Sequence, residues 1–301
     1  MKRITHIGIW WDPRKPPEEL EKDKTRIAEI LRRMGMGSLF HPEQHFYDFH
    51  LEAGSKALET LVEELQTTPH LADSHIWVET RYTRQELESA AMLIWGPTNQ
   101  AIEDDYYDFS AEGEEHRDLY KYCPACGAPI GQIRDFIAHK ALMRGKEVSL
   151  TYSNQVILSE RVGHLLQEHS LTGFELRPVR HYKKPYKGEP TLYQLKVTNM
   201  LPPMASPPTE FERIQHCEVC GTTTRYLKHT HFWGKIQYYE DTDIYYPKGV
   251  LEVVKDFNYT AEKFEELRVA HPYVIITQRV YRLLHEHKVK NWAAVPVYLV
   301  D

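Results

Sequence analysis

All four cysteines of the chain fall in two copies of one short motif, Cys123-Pro-Ala-Cys126-Gly127 and Cys217-Glu-Val-Cys220-Gly221. A two-residue spacer lets both thiolates of a pair point at one ion from a tight turn. The glycine that follows tolerates positive φ, so backbone N–H groups can turn toward the sulfurs. Two such pairs make a four-thiolate set that closes a tetrahedron at bonds of about 2.3 Å and leaves no open position. The expectation is one structural zinc ion held by Cys123, Cys126, Cys217 and Cys220. Ninety residues lie between Cys126 and Cys217, where a simple ribbon has roughly 15–20. A folded element must therefore sit between the two halves of the site, which is cheap because loop closure grows only logarithmically with length. Two other readings stay open. Each pair can recruit histidines such as His216, His229 or His231, or the pairs can be redox-active. The redox reading needs a Cys-x-x-Cys at a helix N-terminus, and no helical pattern follows either glycine directly.

An internal repeat follows the knuckles. Residues 156–179 (VILSERVGHLLQEHSLTGFELRPV) align without a gap on 274–297 (VIITQRVYRLLHEHKVKNWAAVPV), and 10 of the 24 positions are identical. Each copy opens with a short β-branched run, offers Ser159 or Thr277 as an N-cap, and continues with a helical stripe of Val162, Leu165 and Leu166 or Val280, Leu283 and Leu284. A second short strand closes it, giving strand–helix–strand. One knuckle precedes each copy, so the pattern reads as a duplicated module of knuckle plus strand–helix–strand. Arg161 and Arg279 occupy matching positions just after the caps, where the helix dipole disfavours a cation. Each is expected to pair with a carboxylate of its own module. His169 and His287 fall at matching helix C-termini, where a cation complements the dipole.

The chain reads as α+β throughout. In residues 1–102 a strand at 4–11 precedes a helix that Pro16-Pro17-Glu18-Glu19 opens and Gly35 stops. A second helix carries Leu58, Leu61, Val62 and Leu65 at helical spacing, and residues 75–82 alternate as a strand. Thr83 with Glu86 fits a capping box for a third helix buried through Leu87, Ala90, Ala91 and Ile94. Residues 103–118 carry eight acids and one arginine and read as an acidic connector. Residues 119–301 form the duplicated, metal-binding part. The Pro202–Pro208 stretch can be neither helix nor central strand.

Charge is uneven. Residues 1–122 hold 14 Lys+Arg against 24 Asp+Glu, a balance of −10, and residues 123–301 hold 23 against 19, a balance of +4. That excess is small for a nucleic-acid binder, which concentrates its basic face. The candidate cluster for one is Arg177, Arg180, Lys183, Lys184 and Lys187. No apolar run is long enough for a membrane helix. The short apolar start, broken at Asp12-Pro13, reads as a strand rather than a signal peptide, and a cytoplasmic location is the expectation. No Walker loop, G-x-S-x-G, H-E-x-x-H or G-x-G-x-x-G occurs, so catalytic residues are not assigned and the chain is read as a binding protein rather than an enzyme. His41, His45 and His50 are the alternative, an enzymatic cluster in residues 1–102.

With the two knuckles and the repeated unit together, the chain resembles the double-CXXCG motif proteins, a bacterial family of immunity proteins in polymorphic toxin systems. The residues that carry the likeness are CPACG at 123–127, CEVCG at 217–221 and the two copies at 156–179 and 274–297, and it covers roughly residues 120–301. The resemblance implies a stoichiometric antidote that binds one cognate toxin, with zinc holding the scaffold. The acidic balance of residues 1–122 would suit a basic toxin. A zinc-ribbon protein that binds nucleic acid is the other reading.

Overall fold

The computed structural model describes residues 2–10, 16–35, 37, 46–52, 54–67, 75–98, 120–133, 135–138, 143, 145–151, 154–181, 191–233, 236–240, 242–264 and 270–301. In chain order its elements begin β1 (Lys2–Trp10), α1 (Pro17–Arg33), β2 (Phe46–Glu52), α2 (Lys56–Thr67), β3 (His75–Arg81), α3 (Arg84–Ser89) and β4 (Met92–Pro97). They continue with β5 (Tyr120–Tyr122), β6 (Pro129–Gln132), β7 (Ile137–Ala138), β8 (Val148–Leu150), β9 (Val156–Ser159), α4 (Glu160–Glu168), β10 (Phe174–Pro178), β11 (Arg180–His181) and β12 (Leu192–Val197). The remainder are β13 (Phe211–His216), β14 (Thr223–Leu227), β15 (Thr230–Trp233), β16 (Ile236–Glu240), β17 (Ile244–Pro247), β18 (Phe257–Tyr259), β19 (Val274–Thr277), α5 (Gln278–Glu286) and β20 (Trp292–Val300). The mixture of helices and several sheets is the α+β class that the sequence indicates.

Two compact units emerge, and their boundaries differ from the sequence expectation. One comprises Met1–Arg84 with Lys228–Thr242, the other Gln85–Leu227 with Asp243–Asp301. The first unit therefore ends before residue 102 and includes a hairpin from far along the chain. Its sheet runs β15-β16-β3-β1-β2, in which β16 pairs parallel to β3 while β1 pairs antiparallel to both β2 and β3. Ile7 and Val78 are buried together with the helical stripes Ile27, Ile30 and Leu31 of α1 and Leu58, Leu61 and Val62 of α2. The acidic first turn and basic last turn of α1 both suit its dipole. Arg3 on β1 and Glu240 on β16 form an ion pair within this unit. The acidic connector at 103–118 lies outside the described residues.

In the second unit, the third helix needs correction. It ends at Ser89, and Ile94 belongs to β4, a strand. An apolar run such as Met92-Leu93-Ile94-Trp95 is compatible with either helix or buried strand by periodicity alone. Here it is claimed by β19 on one side and β20 on the other, both antiparallel.

The two repeat copies both form strand–helix–strand, β9, α4 and β10 against β19, α5 and β20; the first strands have four residues each and the helices nine each, whereas β20 runs nine residues against five for β10. Each also admits a strand between its two outer strands: the first sheet runs β10-β12-β9-β8, and the second, which adds β17 parallel to β20, runs β17-β20-β4-β19-β18. Their registers agree. Leu192, Tyr193, Gln194 and Leu195 lie opposite Ser159, Leu158, Ile157 and Val156, as Met92, Leu93, Ile94 and Trp95 lie opposite Thr277, Ile276, Ile275 and Val274. Phe174 pairs with Val197 as Trp292 pairs with Pro97. The helix exits match as well: His169 and His287 are the C-caps, and Ser170 and Lys288 follow with φ of 48° and 51°.

Reciprocal polar contacts tie the two modules together. Arg161 donates to Glu147 at 2.6 Å and to the carbonyl of His287 at 3.3 Å. Arg279 donates to Asp256 at 3.2 Å and to the carbonyl of His169 at 2.6 Å. Each arginine thus pairs with a carboxylate, as expected, and also caps the last carbonyls of the opposite helix. The carboxylates cross over too: Glu147 accepts the backbone N–H of Lys290, and Asp256 that of Thr172, each at 2.8 Å. The rings of His169 and His287 meet edge to face with centroids 5.6 Å apart. One apolar cluster, including Val162, Leu165, Leu166, Val280, Leu283 and Leu284, runs through both modules.

Candidate metal centre

Each Cys-x-x-Cys-Gly motif forms the tip of a β-hairpin, β5–β6 for the first and β13–β14 for the second. The local geometry is the same in both. The Cys123 N–H donates to the Ala128 carbonyl at 2.9 Å, and the Gly127 N–H to the Cys123 carbonyl at 2.8 Å. In the second, the Cys217 N–H donates to Thr222 at 3.0 Å and the Gly221 N–H to Cys217 at 2.8 Å. Gly127 and Gly221 have φ of 73° and 69°, a left-handed conformation that glycine adopts without a Cβ penalty. The turn therefore requires the glycine that the motif supplies.

The two hairpin tips bring together sulfurs whose residues stand 94 positions apart in the chain. Cys123 Sγ and Cys217 Sγ are 3.9 Å apart, and Cys126 Sγ and Cys220 Sγ are 3.7 Å apart. All four sulfurs lie within 4.8 Å of one another. A tetrahedron with metal–sulfur bonds of about 2.3 Å has edges of roughly 3.8 Å, so the spacing fits a single ion. It does not fit a disulfide, whose sulfurs lie about 2.05 Å apart, and all four cysteines are free. Cys123 and Cys217 are buried while Cys126 and Cys220 are partly exposed. The cluster can hold a metal ion, and with four protein ligands it leaves no position for a reacting group.

The two partly exposed thiols are shifted in opposite directions. The Thr222 hydroxyl, then the Thr222 N–H, draw Cys220 down to about 6. The Ala128 N–H acts to lower Cys126 as well, but burial and the three neighbouring sulfurs win and push it up to about 12. Four clustered thiols cannot all ionise without a cation, and a bound metal removes that opposition.

The other sequence candidates do not join this cluster. His216 hydrogen-bonds Thr223 at 2.7 Å and lies 3.6 Å from Glu218. His216 and His229 are absent from the metal-ligating group, which among the described residues consists of the four cysteines alone. The side chain of His231 lies outside the described residues, as do His41 and His45. His50 is described: it faces His6 across β1 and β2 with ring centroids 4.1 Å apart. His6 also stacks on Trp77 and contacts Glu79 at 2.5 Å. Of the basic candidates, Lys183, Lys184 and Lys187 and the side chain of Arg180 are outside the described residues, and Arg177 sits 4.0 Å from Glu175. Sequence reasoning missed Glu147 and Asp256, which precede β8 and β18; the matched arginines were the signal that such carboxylates exist.

No helix among the described residues is long and apolar enough to cross a membrane. No protein-family model matches the chain, and no curated protein does so significantly.

Proposed function

We propose that this protein is a zinc-stabilised antidote, an immunity protein that binds a cognate bacterial toxin in the cytoplasm and blocks it stoichiometrically. The observation that carries the reading is the closed four-sulfur cluster built from two identical knuckles, the arrangement in which the chain resembles the double-CXXCG immunity proteins. Four thiolates in tetrahedral array suit zinc, which has no redox chemistry and no preference for an open site. We read the two modules as copies of one duplicated unit, with the metal fastening their two hairpins. The ion's role is then structural, and recognition falls to the protein surface. The acidic balance of residues 1–122 offers a face complementary to a basic toxin, since opposite fields speed encounter and favour the right partner. The test is co-expression with the toxin encoded beside this gene, with elemental analysis of the purified chain. Protection of the host and one zinc per chain are the expected results. Failure to bind or protect against any neighbouring gene product ends the antidote reading, and iron in place of zinc ends the metal assignment.

A further inference from the structure

The second unit contains a cleft of about 920 Å³ beside the N-terminus of α4 and the C-terminus of α5. Lys146, Arg161, Lys288 and Lys290 line it over an apolar floor that includes the buried Met143 and Leu192. The carboxylates on its wall are Glu147 and Glu160, so the described lining carries an excess of two positive charges. Glu147 is already engaged by Arg161 and by the Lys290 N–H.

The other module provides an internal control. Superposing the two registers puts Ser170 where Lys288 stands, Thr172 where Lys290 stands, and Gln278 where Glu160 stands. There Gln278 donates to the carbonyls of Leu87 and Ala90 at 2.6 and 2.7 Å, so the end of α3 occupies the corresponding place. The frame of arginine, carboxylate and C-cap carbonyl is shared and has a structural explanation. The Lys290 charge also helps to hold the Glu147 carboxyl low, but Lys288 has no such role, and the same turn forms with Ser170 and Thr172. Lys288 even holds a left-handed backbone, φ 51°, which favours Gly or Asn over lysine. Two lysines that the matching turn does without, on one side only and in the lining of a cavity, point to a ligand.

We propose that this cleft binds a small phosphate-bearing organic molecule of nucleotide size, with its phosphates on Lys288, Lys290 and Lys146 and its apolar part over Met143 and Leu192. The volume is at the upper end of the roughly 300–1,000 Å³ of small-molecule sites and exceeds what a bare anion needs. Lysines act as mobile point charges for phosphate, and a partly enclosed cleft strengthens them relative to open solvent. This proposal does not depend on the antidote reading.

The experiment is isothermal titration of the metal-loaded full chain with ADP, adenosine and inorganic pyrophosphate at low salt, with metal content measured afterwards. The expected result is saturable binding of one ADP per chain that weakens as salt rises, with weaker pyrophosphate and no adenosine binding. Lys288→Asn with Lys290→Gln, which suits the left-handed turn, should weaken ADP roughly tenfold or more and lower the melting temperature only slightly. Lys255→Gln, outside the cleft, should leave binding intact. No binding of ADP or pyrophosphate overturns the proposal. So does adenosine binding as tightly as ADP, or ADP affinity that survives the double substitution or falls equally with Lys255→Gln.

Discussion

The β10-β12-β9-β8 sheet and the four matching strands of the β17-β20-β4-β19-β18 sheet reach the same register from opposite directions along the chain. In the first, the inserted strand is β12, which follows the strand–helix–strand segment. In the second it is β4, which precedes it by well over a hundred residues. The strands themselves, LYQLKV and MLIWGP, share no obvious pattern. Register is therefore set by what surrounds the slot: two outer strands, the helix packed over them, and the reciprocal arginine–carboxylate contacts. A slip by one residue would turn every buried side chain to the wrong face. The two hairpins compare differently, since there the geometry repeats bond for bond and the metal ligands are shared. Divergence is tolerated in the sheets but not at the sulfurs, where a single missing ligand opens the site.

The largest expected effect tests that last contrast. Cys217→Ser and Cys123→Ser should each destabilise the second unit by on the order of 5 kcal/mol, a fraction of the roughly 10–16 kcal/mol a structural zinc ion supplies. Chelation should reproduce it. Thermal unfolding of the metal-loaded and stripped chain reads the outcome. Unequal losses for the two cysteines would mean that the hairpins are not equivalent, and unchanged stability would remove the structural role.

A second contrast lies just after the helices. Gly173 and Asn291 hold the same place with φ of 86° and 68°. A Cβ at Gly173 would lie 2.1 Å from the Phe257 carbonyl oxygen, which backbone cannot vacate cheaply. Gly173→Ala should cost about 3 kcal/mol or more. Asn291 accepts the Glu147 N–H at 3.3 Å, so Asn291→Ala should cost only about 1–2 kcal/mol. Denaturant unfolding distinguishes them, and equal costs would show that the first turn can relax.

These contrasts also mark where the sequence was informative. The knuckles were legible because cysteine spacing and the following glycine encode a complete local geometry. The repeat copies and the two long helices were legible because their apolar stripes are strong; of the two expected caps, Ser159 accepts the Val162 N–H, whereas Thr277 stands at the N-cap of α5 without a cap bond and donates to Asp256 instead. β4 was misread because Leu87, Ala90, Ala91 and Ile94 happen to keep helical spacing. Gly96-Pro97, a poor helix continuation, was the available warning. The hairpin of β15 and β16 joins the first unit through a parallel pairing with β3, a non-local contact with no local signature. The carboxylate partners were implied by Arg161 and Arg279 but could not be located, because nothing in the spacing singles out Glu147 or Asp256.

The carboxylates give the third test. Asp256 is 9% exposed as a side chain and accepts from Arg279, the Thr172 N–H and hydroxyl, and Thr277. Glu147 is 19% exposed and accepts from Arg161 and the Lys290 N–H. Asp256→Ala strands more buried donors and should cost about 3 kcal/mol, against about 1.5 kcal/mol for Glu147→Ala. Calorimetric unfolding of the two variants decides it, and a larger loss at Glu147 would reverse the ranking of the two braces.

The smallest effect is a pH dependence that belongs to one brace. Burial alone would raise the Glu147 carboxyl, but hydrogen bonds from Arg161 and the Lys290 N–H outweigh it and hold the group below its ordinary 4.5. A carboxylate depressed on folding contributes stability that is fully present above the unfolded value and is lost as pH falls through the lower folded value. The window therefore lies below about pH 4.5. Arg161 is half-exposed, so solvent screening limits the pair to about 1 kcal/mol or less. Glu147→Gln should flatten the acid limb of the second unit while leaving stability near neutral pH only slightly lowered. Glu79 in the first unit is also held low, chiefly by the Arg81 hydrogen bond and, after burial has opposed it, by His6. The acid response must therefore be read separately for each unit, by hydrogen exchange of peptides from β8–α4 and from β1–β3. An unchanged acid limb at β8–α4 in the glutamine variant would show that Glu147 does not couple folding to protons, and that the two braces differ in more than burial.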